Sequence, residues 1–386
     1  MTLSPAAVQA LPVILIAFAV AAVVSYVLTP LAIRFAPQIG ALDIPGAARR
    51  LHQQPIPRTG GLAVAGGFVG VGLVGLLANE FFEFVPEMRA VRTPQVAALL
   101  AGVGIGAALG YLDDRLELRA RWQLLGQLVL AGIAVLAGIH IDNMVNPLGG
   151  PALRFDGAMA TAVTTLWIVG MINSANFIDG LDGLLAGIAL IAALTLGVVS
   201  LVGQPPIQPF VAVLCALLAG SLVGFLPWNF HPARVFIGTA GVFVVGYALA
   251  VLAVVGTAKV AVALLVLGVP IIDTFWVIIR RLAAGRAPFS ADRGHFHHRL
   301  LDLGLSHRQA VVLIYFLCAL LAVLSLVLSG RGQVSAFLII VIGGGLILYL
   351  MTRQTRDALD PRSYPDDELE AIGARSETAE AEKGHS

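Results

Sequence analysis

Two acidic segments in this sequence have the residue types and spacing to bind a cation or move a proton. One is Asp113-Asp114-Arg115, followed by Arg119, Arg121 and Gln123; the other is Asn173-Ser174-Ala175-Asn176-Phe177-Ile178-Asp179-Gly180-Leu181-Asp182-Gly183. Adjacent carboxylates at a membrane edge repel and lose solvation, which favours a proton acceptor or a metal anchor over a bare pair. The alternative is a solvated pair held by Arg115. In the second segment Asn176, Asp179 and Asp182 are each three apart, so on a helical turn they share a stripe. Oxygen donors on one face suit Mg²⁺, which keeps several waters and takes other ligands from phosphates. The glycines would let a diphosphate come near the backbone, whereas a structural turn explains a doubled Asp-Gly less well.

Three further segments carry anion-binding chemistry. The first is Leu42-Asp43-Ile44-Pro45, then Arg49-Arg50-Leu51-His52-Gln53-Gln54-Pro55-Ile56-Pro57-Arg58-Thr59-Gly60-Gly61. Its paired glycines could bring backbone N–H groups close to an anion, or could simply punctuate a turn. In Pro227-Trp228-Asn229-Phe230-His231-Pro232-Ala233-Arg234-Val235-Phe236, the ring of Phe236 and the amide of Asn229 could recognise a planar base, although interfacial anchoring is the commoner use of such aromatics. The last follows Asp273 and runs through Arg280, Arg281, Arg286, Asp292, Arg293, His295, His297, His298 and Arg299. Imidazoles among arginines can donate hydrogen bonds or protons to an anion near neutral pH. Zinc is the rival reading, but no Cys and no spaced second pair completes a tetrahedral site. Asp273 should be paired with an arginine or a polar neighbour, because a lone charge inside a bundle is costly.

The elements that must position these residues are apolar. Of 386 residues, 58% are hydrophobic and 12% charged, against about 25% charged in a soluble domain, which excludes a soluble globule. Candidate spans lie near residues 11–33, 59–79, 94–112, 122–139, 157–175, 183–203, 207–228, 235–257, 260–279, 309–330 and 333–352, each long enough to cross roughly 30 Å of hydrocarbon. The expected fold is therefore all-α, a polytopic integral membrane protein of about eleven transmembrane helices. The first segment lacks a basic leader and should remain as a span instead of being cleaved as a signal peptide.

Nineteen of the 24 Lys and Arg residues fall on one set of loops. Cytoplasmic loops retain Lys and Arg, so the N-terminus is expected outside and the C-terminus in the cytoplasm. All five polar segments then share the cytoplasmic face of the plasma membrane. Residues 1–355 should form the membrane domain, and 356–386 an acidic, disordered tail. With 24 basic against 23 acidic residues there is no basic excess to suggest nucleic acid. Cys215 and Cys318 sit in apolar windows and read as buried hydrophobes.

Carboxylates for a divalent cation, cations for a diphosphate and a base-stacking ring together suit phosphoryl transfer from a nucleotide to a lipid. From about Leu42 to Gln309 the sequence closely resembles the polyprenyl-phosphate N-acetylhexosaminyl-1-phosphate transferases, through five ordered motifs. These are His52-x-x-Pro55-x-Pro57-Arg58-x-Gly60-Gly61, Asp113-Asp114-Arg115, Asn176-x-x-Asp179-Gly180-x-Asp182-Gly183, Asn229-x-x-Pro232-Ala233-Arg234-Val235-Phe236 and Asp292-Arg293-x-His295-x-His297-His298-Arg299-Leu300. The last motif looks more like the branch that uses UDP-N-acetylglucosamine than the pentapeptide branch.

The resemblance implies attack by a polyprenyl phosphate oxygen on the β-phosphorus of a UDP-N-acetylhexosamine, with release of UMP and help from Mg²⁺ or Mn²⁺. It implies that Asp113 and Asp114 assist the acceptor, that Asn176 serves the metal, and that Asp179 and Asp182 serve the nucleotide and the catalytic network. It further implies Phe236 at the uracil and His295, His297, His298 and Arg299 at the diphosphate and sugar; Arg58 and Asn229 are further candidate substrate-binding residues, and a homodimer stays open.

Two positions depart from the family pattern. Gly238-Thr239-Ala240-Gly241 stands where the family's segment carries an Asp resembling the principal metal ligand, and Gln123 stands where many members have Lys. An inactive scaffold of the same family stays open on those grounds. A secondary transporter fits less well, since its ionisable residues should lie near the midplane and not at one rim.

Overall fold

The computed structural model describes residues 4–43, 55–82, 93–146, 150–202, 207–256, 260–283, 296–328 and 330–358. They fall into a unit of residues 1–339 and a second of residues 340–386, whose described part is the end of the last helix. Residues 359–386 of the expected tail lie outside the described residues.

The chain is all-α, as the hydropathy pattern predicts. Helix α1 (Pro5–Ile39) is followed by α2 (Gly60–Ala65), a π-helical turn at Gly66–Gly70 and α3 (Val71–Phe82). Next come α4 (Thr93–Leu116), α5 (Ala120–Leu136), α6 (Gly157–Ile178) and α7 (Leu184–Val202). Helices α8 (Pro209–Asn229) and α9 (Gly238–Val255) form the centre; α10 (Val260–Val266), α11 (Gly268–Ala283), α12 (Phe296–Asp302), α13 (His307–Val327) and α14 (Arg331–Ala358) complete the chain. Two short antiparallel pairings tie loops together, β1 (Leu42–Asp43) with β2 (Ile56–Pro57) and β3 (Asn143–Met144) with β4 (Leu153–Arg154).

Among the described residues, eight helices, counting α2 and α3 as one, are long and apolar enough to cross a membrane, and a ninth would come from α10 and α11 read as a single span bent by 72°. The expected count of eleven is not reached on that measure. The other two expected spans fall on the shorter apolar helices Ala120–Leu136 and Arg331–Leu346. Ala120–Leu136 has 17 residues and at 1.5 Å per residue would reach only about 25 Å.

Burial sorts the helices into an inner and an outer set. The best apolar windows of α8 and α9 are 89% and 83% buried, that of α1 only 11%. Leu15, Ile16 and Val23 of α1 are all more than 60% exposed, which in water would be a large penalty and in lipid is the expected outer surface. Along α8 the backbones of α1 and α8 meet at Gly220 and Gly224, where a Cβ would fall 2.2 Å from Phe18 O and 2.0 Å from Ala22 O. Such small-residue contacts suit a bundle in lipid, where dispersion and close packing replace the hydrophobic drive. Cys215 and Cys318 are both buried, as their apolar windows implied.

Candidate active-site cleft

The start of α2, the ends of α4, α6 and α8, and the starts of α9 and α13 converge on one cleft of about 580 Å³. Of the expected site residues, Arg58, Asp114, Asn176, Asp179, Asp182, Asn229 and Phe236 line it, with Thr239, His231 and His307.

The two adjacent aspartates part company. Successive helical residues point about 100° apart, so only one of them can face the cleft. Asp113 faces the α4–α5 loop, accepting from Gln123 Nε2 at 2.9 and 3.1 Å and from the Leu118 N–H at 3.2 Å. It is not among the cleft-lining residues. Gln123 thus satisfies Asp113 with a neutral donor. Asp114 accepts from the Thr239 N–H at 2.9 Å and the Ala240 N–H at 3.1 Å. These are orphan amides of the first turn of α9, where a carboxylate is favoured by the helix dipole.

Asn176, Asp179 and Asp182 do not share a helical stripe. Helix α6 ends at Ile178, and Gly183, at φ 81°, turns the chain into α7. The turn nevertheless presents all three to the same cleft. Burial, then the neighbouring Asp114 and Asp182 charges, push the Asp179 carboxyl up to about 7 against the opposing pull of Arg58. Asp182 accepts at Oδ2 from His231 Nδ1 at 2.7 Å and from the Ala233 N–H at 3.1 Å.

The paired glycines bind no anion with their amides. The Gly60 N–H donates to Phe236 O at 3.0 Å and the Gly61 N–H to Ile237 O at 2.8 Å, while the Phe236 N–H donates back to Pro57 O at 2.8 Å. The anion reading of Gly60-Gly61 is therefore replaced by a packing one: a Cβ on Gly61 would lie 2.0 Å from Gly241 N. Only two residues without side chains let the starts of α2 and α9 approach so closely. Gly238, at φ 67°, completes the junction, and a Cβ there would meet Arg58 O at 2.4 Å and Asp114 Oδ2 at 2.7 Å.

Arg58 is held by Asp43, Nη2 to Oδ1 at 2.6 Å, through the β1–β2 pairing. Asn229 spends its amide group on Val235 O at 3.0 Å, fixing the bend that carries Phe236 into the cleft. Asp273 has the polar neighbour expected of it, accepting from the Phe296 N–H at 2.8 Å at the start of α12. Arg299 lies on α12 and is not among the cleft-lining residues. His295 and the side chains of His297 and His298 lie outside the described residues.

Two residues that the sequence reading did not select belong to the site, His231 and His307. The ligand atoms of Asp182, His231 and His307 lie within 4.8 Å of one another, a spacing that could hold a metal ion. His231 was visible beside the Asn229 bend, but His307 carries no local signal, since only folding brings it 125 positions back to Asp182.

Chemically, the cleft joins four carboxylates, two amides, a guanidinium and two imidazoles. Its donor set is oxygen-rich, so a hard divalent cation fits it.

Sequence comparison places this geometry. The model of glycosyl transferase family 4 matches residues 96–257. A Bacillus subtilis protein named "Probable undecaprenyl-phosphate N-acetylglucosaminyl 1-phosphate transferase" is 37% identical over 338 residues, covering 85% of this chain and 89% of its own. The decaprenyl-phosphate N-acetylglucosaminephosphotransferase of Mycolicibacterium smegmatis is 35% identical over 334 residues, covering 78% and 79%. An undecaprenyl-phosphate alpha-N-acetylglucosaminyl 1-phosphate transferase of Yersinia pestis is 30% identical over 302 residues, covering 75% and 77%. With relatives 30–37% identical over three quarters or more of both chains, the chain belongs to glycosyl transferase family 4.

Proposed function

We propose that this chain transfers N-acetylglucosamine 1-phosphate from UDP-N-acetylglucosamine to a polyprenyl phosphate, giving a polyprenyl diphosphate sugar and UMP, at the start of a cell-envelope polysaccharide. The observation that carries this reading is the convergence of Asp114, Asp179, Asp182 and Arg58 on one cleft at a single rim of an apolar bundle, in a chain whose relatives are named for that transfer. An acceptor phosphate oxygen forms the new bond to the β-phosphorus, and the bond from that phosphorus to the bridging oxygen breaks, with UMP leaving. The acceptor is already an anion, so catalysis rests on alignment and charge neutralisation.

In this proposal Arg58 and His231 contact phosphate oxygens, and Phe236 stacks on uracil while Asn229 holds the bend beneath it. Asp114, Asp179 and Asp182, with Asn176, would hold Mg²⁺ or Mn²⁺, which when bound would neutralise diphosphate charge. Asp113 acts from outside the cleft by fixing the loop behind Asp114, and His295, His297, His298 and Arg299 contact the diphosphate and sugar. Incubating purified protein with labelled UDP-N-acetylglucosamine, polyprenyl phosphate and Mg²⁺ should yield labelled lipid and UMP in equal amounts. Absence of both products would leave a silent member of the family.

The pH dependence follows from Asp179. Its carboxyl sits at about 7 when folded against an ordinary 3.8, so the cation-free folded chain binds a proton that the unfolded chain has released. Stability without a cation therefore falls as pH rises from about 4 through 7. A divalent cation must displace that proton, so its half-saturating concentration should rise about tenfold per pH unit below 7 and level off above it. A flat profile from pH 5.5 to 8 would show that Asp179 does not face the cation.

Orientation is proposed from the charge asymmetry, with the N-terminus outside, the cleft in the cytoplasm and the acidic tail of residues 356–386 cytoplasmic. Tags placed near Arg49, near Arg293 and in the tail should be shielded from impermeant reagents in intact cells, and one near Arg89 should react. Reaction at the Arg293 position would reverse the assignment.

A further inference from the structure

We infer that His307, with Arg308 and Tyr315, is a positioning device that fixes Asp182 and the turn bearing it, an assignment that deepens the proposed function and rests on it. The start of α13 meets the α6–α7 turn and the α8–α9 bend. The Asp182 N–H donates to His307 Nε2 at 2.9 Å, so this ring carries its proton on Nδ1. The His307 ring stacks on that of His231, with centroids 4.2 Å apart and planes at 16°.

His231 in turn lies 2.7 Å from Asp182 Oδ2 through Nδ1; since an ionised carboxylate can only accept, that nitrogen is the donor. Arg308 Nε donates to His231 O at 3.0 Å, and the Tyr315 hydroxyl donates to Gly183 O. Asp182 is thus held at its backbone by one histidine and at its carboxylate by the other, and α13 holds both. Because His307 Nε2 and His231 Nδ1 are both spent on Asp182, the cluster works as a hydrogen-bonded clasp. Ser306 and Gln309 close a capping box that sets the first turn of α13, and so the place of His307.

The clasp differs from ordinary packing in one respect: it should affect turnover more than binding, because displacing a reacting group by about 1 Å can cost up to 10²-fold. His307→Phe keeps the ring stack and removes the acceptor; His307→Gln keeps an acceptor near the Nε2 position. In the UMP-release assay His307→Phe should lower kcat roughly tenfold with KM for UDP-N-acetylglucosamine within about twofold, and His307→Gln should recover most of the loss. In an Asp182→Asn background His307→Phe should add little, since the two act as a unit.

Hydrogen exchange supplies a readout that does not depend on the reaction. The peptide from Asn176 to Leu184 should exchange faster in His307→Phe and at the wild-type rate in His307→Gln. Unchanged exchange in His307→Phe would overturn the clasp, as would an equal loss of kcat in both backgrounds. If the wild type releases no UMP, the proposed function fails while the exchange comparison still decides the clasp.

Discussion

Asp182→Asn and Asp114→Asn are each expected to lower turnover by about 10²-fold or more, on the scale of removing a well-placed charged group from a preorganised site. Their effects on stability should differ. Asp182 receives both its His231 and Ala233 contacts at Oδ2, so the asparagine oxygen can keep both bonds while only the charge is lost. Asp114 uses one oxygen for the Thr239 N–H and the other for the Ala240 N–H. Asparagine there turns an NH₂ group against a buried donor, and the lost bond should destabilise the fold by about 1–3 kcal/mol. Turnover in the assay and melting of the purified protein in detergent would be measured together. Near-normal turnover in both variants would sink the carboxylate assignment; equal melting temperatures would show that the α9 amides find other partners.

Thr239→Asp should lower the half-saturating Mg²⁺ concentration by about tenfold, since hard cations respond strongly to ligand charge. Thr239 is the second residue of α9, half-buried, and lines the cleft beside Asp114 and Asp179. A carboxylate there would meet the favourable end of the helix dipole but would also stand next to Asp114, whose charge it would oppose until a cation bridges them. The gain should therefore appear in the Mg²⁺ titration, together with lower stability when Mg²⁺ is withheld. If the variant folds normally and binds Mg²⁺ no better, position 239 does not face the cation.

Much of this protein is written in its residue order. Long uncharged windows fix an all-α membrane fold because a backbone in hydrocarbon must satisfy its own hydrogen bonds, and the segregation of polar segments to alternate loops fixes that they lie at one end. The spacing of Asn176, Asp179 and Asp182 picked out residues that line one cleft, but for a reason that the fold does not use, since a turn and not a helical stripe brings them together. Tertiary structure alone decided which of two adjacent aspartates enters the cleft, because Gln123 engages one and the start of α9 the other. It also turned Gly60-Gly61 from a candidate anion loop into a backbone junction, as only packing shows where an amide points. His307 could not be read from sequence at all, for its partner stands 125 positions away, and contacts at that separation are set by how the helices pack, not by any local pattern of residues.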